Sequence, residues 1–236
     1  MRFYLVILMC LLIFNCEDKQ SQKKTSTQSI DSTTVKKQMA KEEDTDSISE
    51  EINGQFLLND ENAMEFFLQY DKEHKENKVR IVTDYGNIDI ELFEETKFHR
   101  SNFIYLAKKG YFDDTQFYRV IENYIIQGGS TDNREVMKKR SFIGRYLLPT
   151  DTKRGFHHDR GVISMPSSDI ENPYKLASPY EFFIMLRDVH ELDGDYTIFG
   201  KVTSGLDVAD KIANVETDDA DWPLKNVYIR RVEILD

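Results

Sequence analysis

The chain has 236 residues, 31 of them Lys or Arg and 42 Asp or Glu, for a net charge of −11 at neutral pH. So acidic a protein is a poor partner for a polyanion, which argues against nucleic acid as its ligand. With 40% hydrophobic and 31% charged residues, most of it is too apolar for a disordered chain and too polar for a membrane-embedded one.

The first element is not part of a fold. MRFYLVILMCLLIFNC carries one positive charge, Arg2, and then an uninterrupted apolar run from Phe3 to Phe14. That run is too short to span a bilayer and has the length of the apolar region of a secretory signal, so residues 1–15 are expected to be a signal peptide. A buried N-terminal helix competes poorly, because nothing polar gives the run a second face. It ends at Cys16, directly before EDKQSQKK, and there it resembles the lipobox of bacterial lipoproteins. The resemblance implies cleavage before Cys16, diacylation of its thiol and a lipid anchor in a membrane. Phe14 and Asn15 stand where the motif has small residues, and ordinary secretion is the alternative.

The acids that follow Cys16 resemble the export signals of some surface lipoproteins, so the expected location is the periplasm, the outer membrane or the cell surface. Cleavage removes one Arg and no acid, leaving the mature chain one unit more negative. Cys10 and Cys16 are the only cysteines, so an exported protein without disulfides is expected. From Glu17 to Gln55 there is no aromatic residue and an excess of Ser, Thr, Lys, Asp and Glu. Such a segment cannot bury enough apolar surface to offset its ordering entropy. Residues 16–55 therefore read as a disordered tether, with an r.m.s. span of roughly 35 Å.

Residues 56–77 read as a short helical lead-in. In LLNDENAMEFFLQYDKEHKEN, Asn59 or Asp60 is a candidate cap, and Phe56, Ala63, Met64, Phe67 and Tyr70 share one face. From Lys78 the pattern becomes that of an all-β domain with helical inserts. KVRIVTDYGNIDIELF is two alternating runs about a turn containing Gly86-Asn87, hence a hairpin. HRSNFIYLAKKGYF is a helix with Phe103, Ile104, Leu106 and Ala107 on its apolar side and a Lys-Lys-Gly stop. TQFYRVIENYIIQGG gives two short strands, and GVISM, YEFFIML and YTIFGKVTSG three more. LDVADKIANV is a second helix and NVYIRRVEIL a last strand. About eight short antiparallel strands commonly close into a barrel, which removes their edges.

Arg119 sits inside this apolar strand pattern, where a charge costs free energy unless it faces water or a partner. Its surroundings supply a reason. NFIYLAKKGYFDDTQFYRVIENYIIQGG, HDRGVISM, EFFIML and LDGDYTIFGKV, in that order, resemble the landmarks of the cyclophilin-type peptidyl-prolyl isomerases across residues 78–236. The resemblance implies a closed eight-stranded antiparallel barrel capped by two helices, with a substrate groove on its outer wall. It also implies that Arg119, in FYRVI, is the catalytic arginine and that Gln127, in IIQGG, orients the arginine and the substrate carbonyl. Tyr124, Ile125, Phe183 and Leu192 would line a proline pocket with Tyr196 at its rim, although Phe183 and Leu192 read equally well as plain core.

Several positions depart from the family's pattern. Ile125 replaces a pocket methionine, and Glu191 an aromatic, which implies weakened cyclosporin binding. Pro166 and Ser167 replace Ala and Asn beside the groove, and Pro166 lacks a backbone N–H. Glu181 stands where Gln is usual and is placed to pair with Arg119. SSDIENPYKLASPY is longer than the corresponding family loop and is expected to reshape the groove.

The chemistry implied needs no nucleophile, metal or cofactor, and none is expected. Rotation about an X-Pro bond meets a barrier of ~18–20 kcal/mol, and a fixed cationic N–H aimed at the twisted amide nitrogen lowers it selectively. His157-His158 lacks the further ligands a metal needs, and no serine–histidine spacing suggests a hydrolase. The expected partners are proline-containing polypeptides and, through the anchor, a membrane; the domain is expected to be monomeric. The competing readings are a proline-peptide-binding chaperone or scaffold that has lost useful turnover, and a plain ligand-binding barrel indifferent to Arg119.

Overall fold

The computed structural model describes residues 51–52, 55–167 and 172–235. The expected signal, Cys16, nearly all of the tether and residues 168–171 of the long loop lie outside the described residues. Pairing begins within the stretch expected to be a tether, because Glu51–Ile52 runs antiparallel to Gln55–Phe56. Backbone pairing of this kind leaves no mark in side-chain composition.

Eight strands from Lys78 onward form the barrel: β1 (Lys78–Thr83), β2 (Gly86–Leu92), β3 (Thr115–Ile121), β4 (Ile125–Ser130), β5 (Val162–Met165), β6 (Phe182–Met185), β7 (Thr197–Ser204) and β8 (Val227–Ile234), while the short strand Gly144–Arg145 pairs in parallel with Leu58–Asn59 outside it. They close into an antiparallel barrel in the order β6-β4-β3-β8-β1-β2-β7-β5, with β5 pairing back to β6. The fold is thus mainly β, a closed eight-stranded antiparallel barrel. Alternation sets the inward face, as Val79 and Ile81 on β1 and Ile88, Ile90 and Leu92 on β2 are buried. In the β1–β2 hairpin the linking residues are Asp84-Tyr85 rather than Gly86-Asn87, because Thr83 pairs with Gly86. The Thr83 hydroxyl accepts from Tyr85 N–H and donates to Gly86 O, which closes the turn one step earlier.

The helices are α1 (Ala63–Glu73), α2 (Lys97–Lys108), α3 (Arg134–Met137) and α4 (Leu206–Ala213). α2 packs against β7 and β8, and α4 against β2, β3 and β4. α1 packs on α2, burying Ala63 and Phe67. Its N-cap is Asn62 rather than Asn59 or Asp60. The Asn59 side-chain Oδ1 instead accepts from the N–H groups of Glu61 and Asn62, while the Asp60 carboxylate accepts from Leu147 N–H. Asp71 of α1 also fastens the lead-in, by an ion pair with the buried Arg100 of α2. α3 has no counterpart in the sequence reading; it is capped by Asn133 and runs into a 3-10 turn at Lys138–Phe142.

Candidate active site

The placement of Arg119 follows from a β-bulge. On the β3–β4 ladder Phe117 pairs with Gly128 and Arg119 with Gln127, so Tyr118 is an extra residue on β3. Phe117 and Val120 point into the core, while Tyr118 and Arg119 both face outward. The charge therefore lies on the outer wall, 43% exposed, with Gln127 as its cross-strand neighbour. The glycines after Gln127 are needed for close approach. A Cβ on Gly129, whose φ is +99°, would come within 2.2 Å of Tyr180 O in the turn that leads into β6.

Around this pair lies a second apolar cluster, separate from the barrel interior. Ile125, Phe183, Met185 and Val189 are buried there, with Tyr124, Leu192 and Tyr196 packed on them. The cluster borders a recess of about 270 Å³ lined by Arg119, Tyr124, Ile125, Gln127, Pro166, Ser167, Phe183, Leu192 and Tyr196. Tyr196 stands edge-on to Phe183, with centroids 5.5 Å apart and planes at 89°. Glu191 does not border this recess. It lines a shallower one next to it, which shares Tyr124 and Leu192.

Glu181 is also placed elsewhere, and the expected pairing with Arg119 is not formed. Its carboxylate meets Arg140 Nη2 at 3.2 Å and accepts from the Tyr118 hydroxyl at 3.1 Å. The reason is the 3-10 turn after α3, which carries the Arg140 guanidinium over the rings of Tyr180 and Tyr111 to Glu181. Tyr118 in turn accepts from Gln127 Nε2. Burial and the adjacent carboxylate push the Tyr118 hydroxyl far above its ordinary pKa, so it stays protonated. Arg119 Nε lies 3.4 Å from Asp221, a residue that sequence reasoning missed. Asp221 sits in the loop before β8, and its carbonyl accepts from Val120 N–H, which ties that loop to β3 beside the arginine.

The back wall of the recess rests on a buried polar chain that the sequence also left unannounced. Asp193 accepts from His158 N–H and lies 2.8 Å from His158 Nδ1, while His158 Nε2 lies 3.2 Å from Ser164 Oγ. Serine, histidine and aspartate are thus connected, but Ser164 and His158 are fully buried, leaving a substrate no access to the hydroxyl. The His158 ring is instead stacked towards Phe183 and edge-on to Tyr196, so the chain supports the pocket. Burial lowers the His158 pKa. For Asp193 burial acts upward, but hydrogen bonds from His157, His158 and the His158 backbone outweigh it and bring the carboxyl down to about 2. A larger recess of about 510 Å³, bordered by Leu57, Tyr146, Leu147 and Pro179, contains none of the sequence-predicted site residues.

The family model for the cyclophilin type peptidyl-prolyl cis-trans isomerase matches residues 78–234. The chain belongs to this family. The cyclophilin domain is 38% identical over 167 residues to a peptidyl-prolyl cis-trans isomerase-like 2 of Rhizopus delemar, covering 70% of this chain and 30% of that protein. The chain thus spans about a third of the length of that relative. It is 35% identical over 145 residues to a peptidyl-prolyl cis-trans isomerase of Acinetobacter baylyi, covering 59% of this chain and 73% of the other. Among solved structures it resembles a Cryptosporidium parvum cyclophilin determined in the presence of the dipeptide Ala-Pro. The TM-score is 0.58 at 28% identity, over 67% of this chain and 99% of the other.

Proposed function

We propose that this cyclophilin catalyses cis–trans isomerisation of X-Pro bonds in exported polypeptides, as a monomer held to a membrane through acylated Cys16. The observation that carries the catalytic part is Arg119, a guanidinium donor on the rim of a recess whose other walls are Tyr124, Ile125, Gln127, Pro166, Ser167, Phe183, Leu192 and Tyr196. The apolar side chains of this recess offer a proline ring a surface to pack on, beside polar groups that can meet the peptide backbone. A planar amide offers its nitrogen no lone pair, whereas the twisted amide does, so an N–H from Arg119 interacts with the transition state and little with the ground state. A gain of about 10⁴–10⁶ in rate corresponds to roughly 5–8 kcal/mol, and no covalent step or cofactor is involved.

The test is an isomerisation assay on short X-Pro peptides. Wild type is expected to accelerate exchange and Arg119→Ala to lower kcat/KM by about 10²-fold or more. No acceleration by wild type would remove the enzymatic reading. One observation favours a second reading, a proline-peptide-binding chaperone or scaffold module with weak turnover. Asp221 engages Arg119 and competes with substrate for its donors. Peptide binding at the recess without acceleration would select it. Export and anchoring are supported by the apolar run Phe3 to Phe14 ending at Cys16. Mass spectrometry of the mature N-terminus is expected to find a diacylated Cys16, and an unmodified thiol there would rule out the anchor.

A further inference from the structure

We propose that Tyr118 and Glu181 are positioning residues that set the direction of the Gln127 side-chain amide, one N–H held by Tyr118 and its carbonyl oxygen turned towards the substrate recess. The inference rests on the isomerase reading only for its consequence in catalysis. The direction itself follows from counting donors. A carboxylate only accepts, and Glu181 takes Arg140 Nη2 on one oxygen and the Tyr118 O–H on the other. The phenol has one proton, and Glu181 uses it. Towards Gln127 the Tyr118 oxygen is then left as an acceptor, and Gln127 Nε2 supplies the donor. An amide has two ends, so with Nε2 committed to Tyr118, Oε1 is turned to the recess that Gln127 lines.

An acid at position 181 is what makes this polarity obligatory. A glutamine there can donate to Tyr118 as well as accept from it, which frees the phenol proton to point at Gln127 and lets the amide reverse. Arg140 completes the device, because its guanidinium neutralises a carboxylate that is otherwise only partly exposed. The consequence for the site is a division of labour. Gln127 presents an acceptor suited to an Arg119 N–H, and of its two N–H donors only the one not held by Tyr118 is left for a substrate carbonyl.

The test uses the full chain and two readouts. In ¹⁵N-labelled protein the Gln127 side-chain NH₂ resonances, assigned by their loss in Gln127→Ala, are expected to show one shifted, exchange-protected proton. Tyr118→Phe should collapse that shift, and Glu181→Gln should weaken it or split the signal between two orientations. In the isomerisation assay Tyr118→Phe is expected to lower kcat about five- to tenfold with little change in KM. In a Gln127→Ala background the same substitution is expected to cost almost nothing, because its effect passes through that amide. Unchanged Gln127 resonances in both variants, or an equal loss in the two backgrounds, would overturn the proposal. Should wild type show no turnover, the isomerase reading fails while the resonances still decide the positioning. Thermal melts of each variant separate misfolding from either result.

Discussion

The wall formed by β3, β4, β5 and β6 is apolar on both faces, and the two faces use that apolar surface differently. Inside, rings interlock: Phe103 lies 4.7 Å from Phe112 and 5.6 Å from Phe182, and Phe182 lies 6.0 Å from Phe117. Outside, Ile125, Phe183 and Met185 are as well buried, yet Ile125 and Phe183 border an open recess with Arg119 and Gln127 on its edge. Phe182 is 0% exposed and Phe183 4%, so burial does not separate the two faces. What separates them is closure. The barrel seals its interior on all sides, whereas the outer cluster is roofed by Leu192 and Tyr196 and held from behind by Asp193 and His158. Burial alone marks a residue as apolar and packed, and a site is recognised by unfilled space with polar groups at its rim.

Adjacent residues on β6 offer the sharpest way to break this comparison. Phe182→Ala leaves a sealed cavity and is expected to cost about 3–5 kcal/mol of stability. Phe183→Ala enlarges a recess that is already open, so the cavity penalty is smaller and the expected cost is about 2 kcal/mol. The same change should raise KM for X-Pro peptides about tenfold or more, while Phe182→Ala leaves KM of the folded fraction nearly unchanged. Chemical denaturation and Michaelis profiles measure both quantities. Equal stability losses with unchanged KM would make the outer cluster ordinary core.

Acid separates the faces by about 2 kcal/mol. The Asp193 carboxyl lies at about 2 in the folded protein against an ordinary 3.8. Between those values the unfolded chain binds more protons than the folded one, so stability rises with pH. The contribution is complete above about pH 5 and is lost as pH falls towards 2; its size is on the order of 2 kcal/mol. Asp193→Asn should therefore lower stability near neutral pH by about that amount and flatten the acid limb of the stability curve below pH 5. An unchanged acid limb would show that the Asp193–His158–Ser164 chain does not hold the pocket wall.

The barrel was legible because strand alternation and turn residues repeat over short distances. Val79, Ile81, Ile88 and Ile90 declare an inward face without any tertiary information. The landmarks around Arg119 and Gln127 likewise led to nine residues that the fold gathers at one recess. What escaped the sequence was made by register and by length. The bulge at Tyr118 adds one residue to an alternating strand, and a single violation of period two is not a pattern. Glu181 was assigned to Arg119 because the competing cation, Arg140, comes from a segment whose helix has four residues, too short for periodicity to reveal. Asp221 reaches Arg119 only because β8 lies beside β3 in the closed barrel. Asp193 and His158 are 35 residues apart and meet behind Phe183 for the same reason.

The inner face holds a buried polar ring that does not fit its own rule, and it gives the smallest expected effect. His99, on α2, is fully buried near Phe199, and neither ring nitrogen meets a hydrogen-bond partner among the described residues. Burial depresses its pKa from 6.5 to about 4, a shift only partly opposed by Asp151. The folded protein thus holds a neutral imidazole where the unfolded chain binds a proton, and stability falls as pH drops from about 6.5 towards 4. That window lies above most of the Asp193 range. His99→Leu nearly conserves volume and removes two unsatisfied polar atoms, so it is expected to raise stability at neutral pH by about 1 kcal/mol. It should also reduce the loss between pH 6.5 and 4, leaving the share due to His158, whose pKa burial lowers as well. Urea midpoints at several pH values across that window test both effects. A variant less stable than wild type at pH 7, with an unaltered slope below 6.5, would mean that the imidazole is paired and that the interior is not as uniformly apolar as its packing implies.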